Sequence, residues 1–246
     1  MNQPTPRIVA HRGASHEAPE NTLAAFRLAW QQHADAIEGD FYLTADRQII
    51  CIHDHETTRL AGRSLLVEKS TLEELRALDV GSWKGASYKD ERPPTLPEVL
   101  HTVPRGKGMV IELKSKTQIV PVLMQELSRF DDPQLDLLMI TFDEATAARC
   151  KELMPQHPVH WLTEVDQTTT PREIATTVRR AKVDGVGMQA TMEVIDADFI
   201  RDLKRHGCPE FHVWTVDDVA QAKHFRDLGA VAITTNVPSV IGAALR

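Results

Sequence analysis

Short runs rich in Ile, Val, Leu and Met recur along this chain, and nearly all are followed by longer segments whose apolar residues repeat at helical spacing. That alternation is the strongest constraint on the fold, because strand, crossover helix and parallel strand build a sheet buried on both faces. The runs fall at residues 7–11, 36–41, 108–114, 135–141, 159–162, 185–188, 211–215 and 231–234. Helical spacing occupies 21–33, 119–129, 144–154, 171–182, 198–206, 217–228 and 238–245. Eight such strands in 246 residues predict an α/β fold of the TIM (β/α)8 barrel type, with one domain over 1–246.

Local signals agree with these boundaries. Pro171 stands at the first turn of its helix, and Gly207 and Gly229 follow helices where a left-handed cap is common. The regular alternation breaks only after the second strand. There a hairpin partner at 48–52 leads into a stretch with a short helix at 71–78 and several Gly and Pro, which predicts an insertion over about 54–92 rather than a second domain.

Bulk composition narrows the function. With 42% hydrophobic and 26% charged residues the chain is an ordinary globular protein, and a net charge of −7 argues against unspecific nucleic-acid binding or a polybasic membrane surface. The segment 1–12 lacks the apolar stretch of a secretory leader, and no apolar run approaches the roughly 18 residues of a membrane span. The expected compartment is therefore the cytoplasm. Cys51, Cys150 and Cys208 are widely spaced, without a Cys-x-x-Cys pair, and read as small buried hydrophobes. No pattern points to a particular oligomeric state.

Chemistry concentrates near the N-terminus. Glu38 and Asp40 lie two apart on a strand, so both side chains share a face about 6.6 Å apart along the backbone. Their neighbours Ala36, Ile37 and Phe41 make that strand look buried, where a charge needs a partner. Glu112 holds a similar position in Ile111-Glu112-Leu113-Lys114, and a buried ion pair with Lys114 is the alternative to metal binding. Three carboxylates without a Cys or His cluster favour a hard cation, Mg2+ or Ca2+. His11 ends the first strand and His53 closes the hairpin, so a barrel brings both to the mouth, where they suit an acid and base pair. The other nine histidines fall mainly in expected loops and helices and read as surface or structural. Arg12 and Lys114 suit phosphate oxygens, with ion pairs to Glu20 or Glu112 as the competing roles. Asn21 precedes a helical pattern and reads as its N-cap.

In order along the chain, His11-Arg12-Gly13, Pro19-Glu20-Asn21-Thr22, Glu38-x-Asp40 with Thr44 and Asp46, and His53-Asp54 resemble the glycerophosphodiester phosphodiesterases. Pro94-Thr95-Leu96-Pro97-Glu98-Val99-Leu100, Ile111-Glu112-Leu113-Lys114, Trp214-Thr215-Val216 and Ile233-Thr234-Thr235-Asn236-x-Pro238 extend the resemblance over most of the chain. It implies a TIM-barrel hydrolase that converts a glycerophosphodiester to sn-glycerol 3-phosphate and an alcohol. By resemblance, His11 and His53 exchange acid and base duties, Glu38, Asp40 and Glu112 hold one divalent cation, and Arg12 and Lys114 hold phosphate. Trp214 would lie beside the glycerol. A glycerol hydroxyl attacking first, to give a cyclic phosphate that water opens, fits this set.

Asn236 stands where that family often has Asp, Phe41 where a smaller β-branched residue is common, and Thr141-Phe142 where Ser-Phe is frequent. Arg47-Gln48 replaces a turn that usually carries glycine. These departures are expected to bear on packing and specificity, without touching a catalytic position. Two rivals compete with the phosphodiesterase reading: a lysophospholipid phosphodiesterase of the phospholipase D or C type, and a non-catalytic barrel that binds a phosphorylated ligand.

Overall fold

The computed structural model describes residues 5–130 and 135–246. The first four residues of the segment read for a leader, and residues 131–134, lie outside that range. Among the described residues the strands are β1 (Arg7–Ala10), β2 (Ala36–Leu43), β3 (Ile49–Cys51), β4 (Gly108–Leu113), β5 (Asp136–Thr141), β6 (Val159–Thr163), β7 (Gly185–Gln189), β8 (Glu210–Trp214) and β9 (Ala232–Thr235). Their order is β1-β9-β8-β7-β6-β5-β4-β2, and β1 pairs with β2 to close a ring of eight parallel strands. The expected TIM barrel is therefore present. β3 lies outside the ring, antiparallel to β2, with Phe41 opposite Cys51 and Leu43 opposite Ile49. The turn between them places Arg47 at a positive φ of 60°, the conformation for which glycine is the usual choice.

The helices are α1 (Leu23–Gln31), α2 (Thr58–Ala61), α3 (Leu72–Arg76), α4 (Leu96–Leu100), α5 (Val120–Leu127), α6 (Glu144–Leu153), α7 (Pro171–Ala181), α8 (Ala197–Arg205), α9 (Val219–Asp227) and α10 (Pro238–Leu245). α7 starts as expected, with Pro171 in the first turn and Thr170 and Glu173 in a reciprocal capping box. Gly207 and Gly229 follow α8 and α9 with positive φ. α1 corrects one expectation. Its N-cap is Thr22, whose hydroxyl accepts the Ala25 N–H, while Asn21 turns to a different task.

Alternation along each strand divides the core into two layers. Ile37, Phe41, Ile111, Met139, Val186, Phe211, Val213 and Ile233 pack outward into the large cluster that joins strands to helices. The second set, Val9, Ala36, Val110, Ile140, Leu162 and Ala232, forms a small separate cluster with Leu138 and Trp214. Glu38, Asp40 and Glu112 are in phase with this second set on their own strands, which is why every residue of β2 and β4 is buried. A third cluster, around Tyr42, Ile50, Ile52, Leu60 and Leu75, seats the insertion on the β2–β3 hairpin. Cys51, Cys150 and Cys208 are buried free thiols, as expected.

Candidate active site

Parallel register sets Asp40 beside Glu112 on β2 and β4, with Glu38 one inward position below. Oxygens of all three carboxylates lie within 4.8 Å of one another. Like charges this close in a buried site cannot all remain ionised without help. Burial, followed by Asp40, raises the Glu112 carboxyl to about 7. Burial, with Asp40 and Glu112 nearby, pushes Glu38 well above the ordinary carboxylate range. For Asp40 burial acts upward too, but Arg12 and Lys114 outweigh it and hold the group low. Its oxygens face Arg12 Nε at 3.2 Å and Lys114 Nζ at 3.5 Å, and Lys114 also donates to Glu112 at 2.8 Å. The ion pair weighed for Glu112 is thus present.

Three carboxylates meet only two cations here, and Glu38 Oε1 is buried without a hydrogen-bond partner. An orphaned, electron-rich oxygen beside two further carboxylates is what a hard divalent cation requires, so the residues fit the expected metal. The other Glu38 oxygen accepts the backbone N–H of Arg12 at 3.0 Å, which the positive φ of Arg12 (55°) aims inward. Asn21, read from sequence as a cap, instead clamps Asp40. Its amide donates to Asp40 Oδ2 at 2.8 Å, and its carbonyl accepts the Asp40 N–H at 3.2 Å.

His11 and His53 line one cavity of about 240 Å³ with Arg12, Lys114 and the acids Glu38 and Glu112. Ile140, Phe142, Leu162 and Trp214 add apolar surface to its lining. Trp214 lies edge to face with Phe142 at a ring separation of 5.5 Å. Each histidine is held by Nδ1. His53 Nδ1 lies 2.7 Å from Asp54 Oδ1, while His11 Nδ1 lies 2.8 Å from Asn236 Oδ1. Asn236, expected to touch no catalytic position, therefore touches His11. Its orientation is fixed by Asp217: Asn236 Nδ2 donates to that carboxylate at 2.6 Å, which turns Oδ1 toward His11. An amide oxygen can only accept, so His11 carries its proton on Nδ1 and keeps a bare Nε2. Burial, then the charge of Arg12, lowers His11 to about 4 and keeps the ring neutral at pH 7.

A chain of ion pairs ties the insertion to this mouth. Arg59 of α2 donates to both oxygens of Glu20 at 2.9 and 2.8 Å and to Asp54 at 2.5 Å. Glu20 also pairs with Arg12 at 3.0 Å. Burial acts to raise Asp54, but its bonds to Arg59 and His53 prevail and bring it to about 2. Asp54 is thus a permanent acceptor for the His53 ring.

Two of the histidines read as surface or structural lie on the expected strands and point into the barrel. His160 on β6 and His212 on β8 are buried inside the barrel, stacked at 5.1 Å with Nδ1 atoms 2.9 Å apart. The pair needs room, and β7 provides it. A Cβ at Gly187 would lie 2.3 Å from His212 Nε2, and one at Gly185 would lie 2.7 Å from His160 Nε2. Burial lowers His160 to about 4, and burial with His160 alongside holds His212 well below the ordinary histidine range. Well above pH 6.5 these rings are neutral in both the folded and the unfolded chain. Between that value and about 4, the unfolded chain takes up protons that the barrel refuses, so this pair lowers stability as pH falls. In an NMR titration both rings should stay neutral to about pH 5. Titration of either ring near 6.5 would contradict the assignment.

Comparison with known proteins follows this geometry. The model of the glycerophosphoryl diester phosphodiesterase family matches residues 11–240. YhdW of Bacillus subtilis is 36% identical over 237 residues, spanning 95% of this chain and 96% of that protein. The glycerophosphodiester phosphodiesterase of Caldanaerobacter subterraneus is 28% identical, with 95% of each chain covered. Among solved structures, an Oleispira antarctica phosphodiesterase in complex with the product sn-glycerol-3-phosphate superposes with a TM-score of 0.87 at 27% identity. The match covers 98% of this chain and 96% of that one.

Proposed function

Because the chain belongs to the glycerophosphoryl diester phosphodiesterase family, we propose that it hydrolyses glycerophosphodiesters to sn-glycerol 3-phosphate and an alcohol by two-histidine acid and base catalysis. The observation that carries this reading is the cavity that His11 and His53 line together with Glu38 and Glu112, whose carboxylate oxygens lie within 4.8 Å of those of Asp40. A divalent cation, Mg2+ or Ca2+, held by those three carboxylates would supply positive charge to the non-bridging phosphoryl oxygens.

The remaining duties belong to the chain's own side chains. Arg12 and Lys114 keep positive charge at the rim of the acidic centre, where charge-assisted hydrogen bonds can reach phosphate oxygens. His11 and His53, each fixed through Nδ1, offer Nε2 for moving a proton to or from the substrate. Phe142 and Trp214 provide an apolar wall for the carbon skeleton of the glycerol.

Release of glycerol 3-phosphate from glycerophosphocholine and glycerophosphoinositol tests the reading. Hydrolysis of either supports it. Turnover of lysophosphatidylcholine with none of either diester would instead favour the lysophospholipid rival.

Asp217 acts on this reaction through Asn236. Its replacement by alanine frees the Asn236 amide to turn and present NH2 to His11, which disfavours the Nδ1–H form. Asp217→Ala is expected to lower kcat roughly 10- to 100-fold with KM little changed. A variant with unaltered kcat would remove Asp217 from the mechanism.

A further inference from the structure

A second chamber, of about 270 Å³, adjoins the catalytic cavity and shares Arg12 with it. Its walls are Ser15, His16 and Glu20 of the loop after β1, Trp83 and Lys84 of the insertion, and Asn236 after β9. A diester whose phosphorus lies beside Arg12 extends two arms. If one lies against Phe142 and Trp214, the chamber is the space for the other.

We propose that this chamber receives the alcohol arm of the substrate and selects arms bearing hydroxyls or negative charge over arms ending in a quaternary ammonium. The inference rests on the phosphodiesterase reading above and specifies its substrate class.

Charge is the first ground. Glu20, the acid lining the chamber, has both oxygens occupied by guanidinium groups: Oε1 by Arg12 and Arg59, Oε2 by Arg59. The charge of this carboxylate is thus matched by two guanidinium groups, which weakens its pull on a cationic arm. Lys84, in contrast, has no carboxylate partner among the described residues. Its ammonium donates to the Ser15 carbonyl at 2.8 Å and lies 5.4 Å from the centre of the Trp83 ring. Both partners are neutral, so the lysine charge is uncompensated and repels a second cation.

The second ground is the aromatic surface. An exposed tryptophan face is the usual cradle for a quaternary ammonium. Trp83 is 44% exposed, but Lys84 already occupies its face, and its indole N–H is anchored to the Val80 carbonyl at 2.8 Å. What the chamber offers an incoming group is hydrogen-bond donors: two unused ammonium protons of Lys84, with the His16 ring nearby. Hydroxyls, carboxylates and phosphates use such donors, and trimethylammonium cannot.

The test compares kcat/KM for glycerophosphoinositol and glycerophosphocholine in the metal-loaded wild type, Lys84→Met and Lys84→Glu. Because both substrates meet the same preparation, their ratio does not depend on how much of a variant is active. The wild type is expected to favour the inositol diester at least about fivefold, Lys84→Met to bring the ratio near one, and Lys84→Glu to favour the choline diester. A wild-type preference for the choline diester, or a ratio that changes less than twofold in Lys84→Glu, overturns the proposal while leaving the phosphodiesterase reading intact. Hydrolysis of neither diester by the wild type overturns that reading, and this proposal with it.

Discussion

Alanine at His11 or at His53 is expected to reduce kcat for glycerophosphodiester hydrolysis by roughly 10²- to 10⁴-fold, with a much smaller change in KM. The scale follows from what each ring does. A positioned proton carrier contributes this much to a reaction in which a hydroxyl is deprotonated and an alkoxide leaves. Both rings are fixed at Nδ1, His53 by Asp54 and His11 by Asn236, so neither has to be ordered during turnover. Neither provides the buried positive charge of the site, which comes from Arg12 and Lys114, so substrate affinity should largely survive their loss. Steady-state kinetics on each variant would decide the matter. A kcat within twofold of wild type for either variant would remove that histidine from the chemistry.

Chelation should have an effect of similar size. Treatment with EDTA is expected to abolish turnover, and Mg2+, Ca2+ or Mn2+ to restore it; full activity in the stripped protein would reject the three-carboxylate site. A second readout is independent of turnover. The Glu112 carboxyl, held at about 7 by burial and Asp40, gives up a proton when a cation binds beside it. Calorimetric titration near pH 7 should therefore show proton release, and affinity should weaken as pH falls and protons compete for Glu112 and Glu38. Glu38→Gln removes the charge of the orphaned oxygen with little change in volume and should weaken binding at least tenfold. Equal affinity at pH 6 and pH 8 would refute the competition.

Residues whose roles depend on near neighbours were readable from sequence. Glu38 and Asp40 betrayed themselves as acids in an otherwise apolar strand, and Pro171 as the start of a helix. Asn21 shows where local rules mislead: both it and Thr22 are good caps, and the choice was made by Asp40, which lies on the next strand and needs an amide. The partner of His11 is 225 residues away at Asn236, and the group that orients Asn236 follows β8, so no spacing along the chain could reveal them. His160 and His212 escaped for another reason. Histidine at an inward position of a strand gives no periodic signal that separates it from an exposed polar residue, and the glycines at 185 and 187 that make room for the rings sit on the strand between them.

Those glycines carry a consequence for how this barrel can vary. Positions 160, 185, 187 and 212 share one fixed volume, so a side chain can grow on β7 only where a ring shrinks on β6 or β8. A lineage that replaces Gly187 with alanine must also replace His212, and changes at these sites should be inherited together. Substitution there is governed by room, while at Glu38 and Asp40 it is governed by charge.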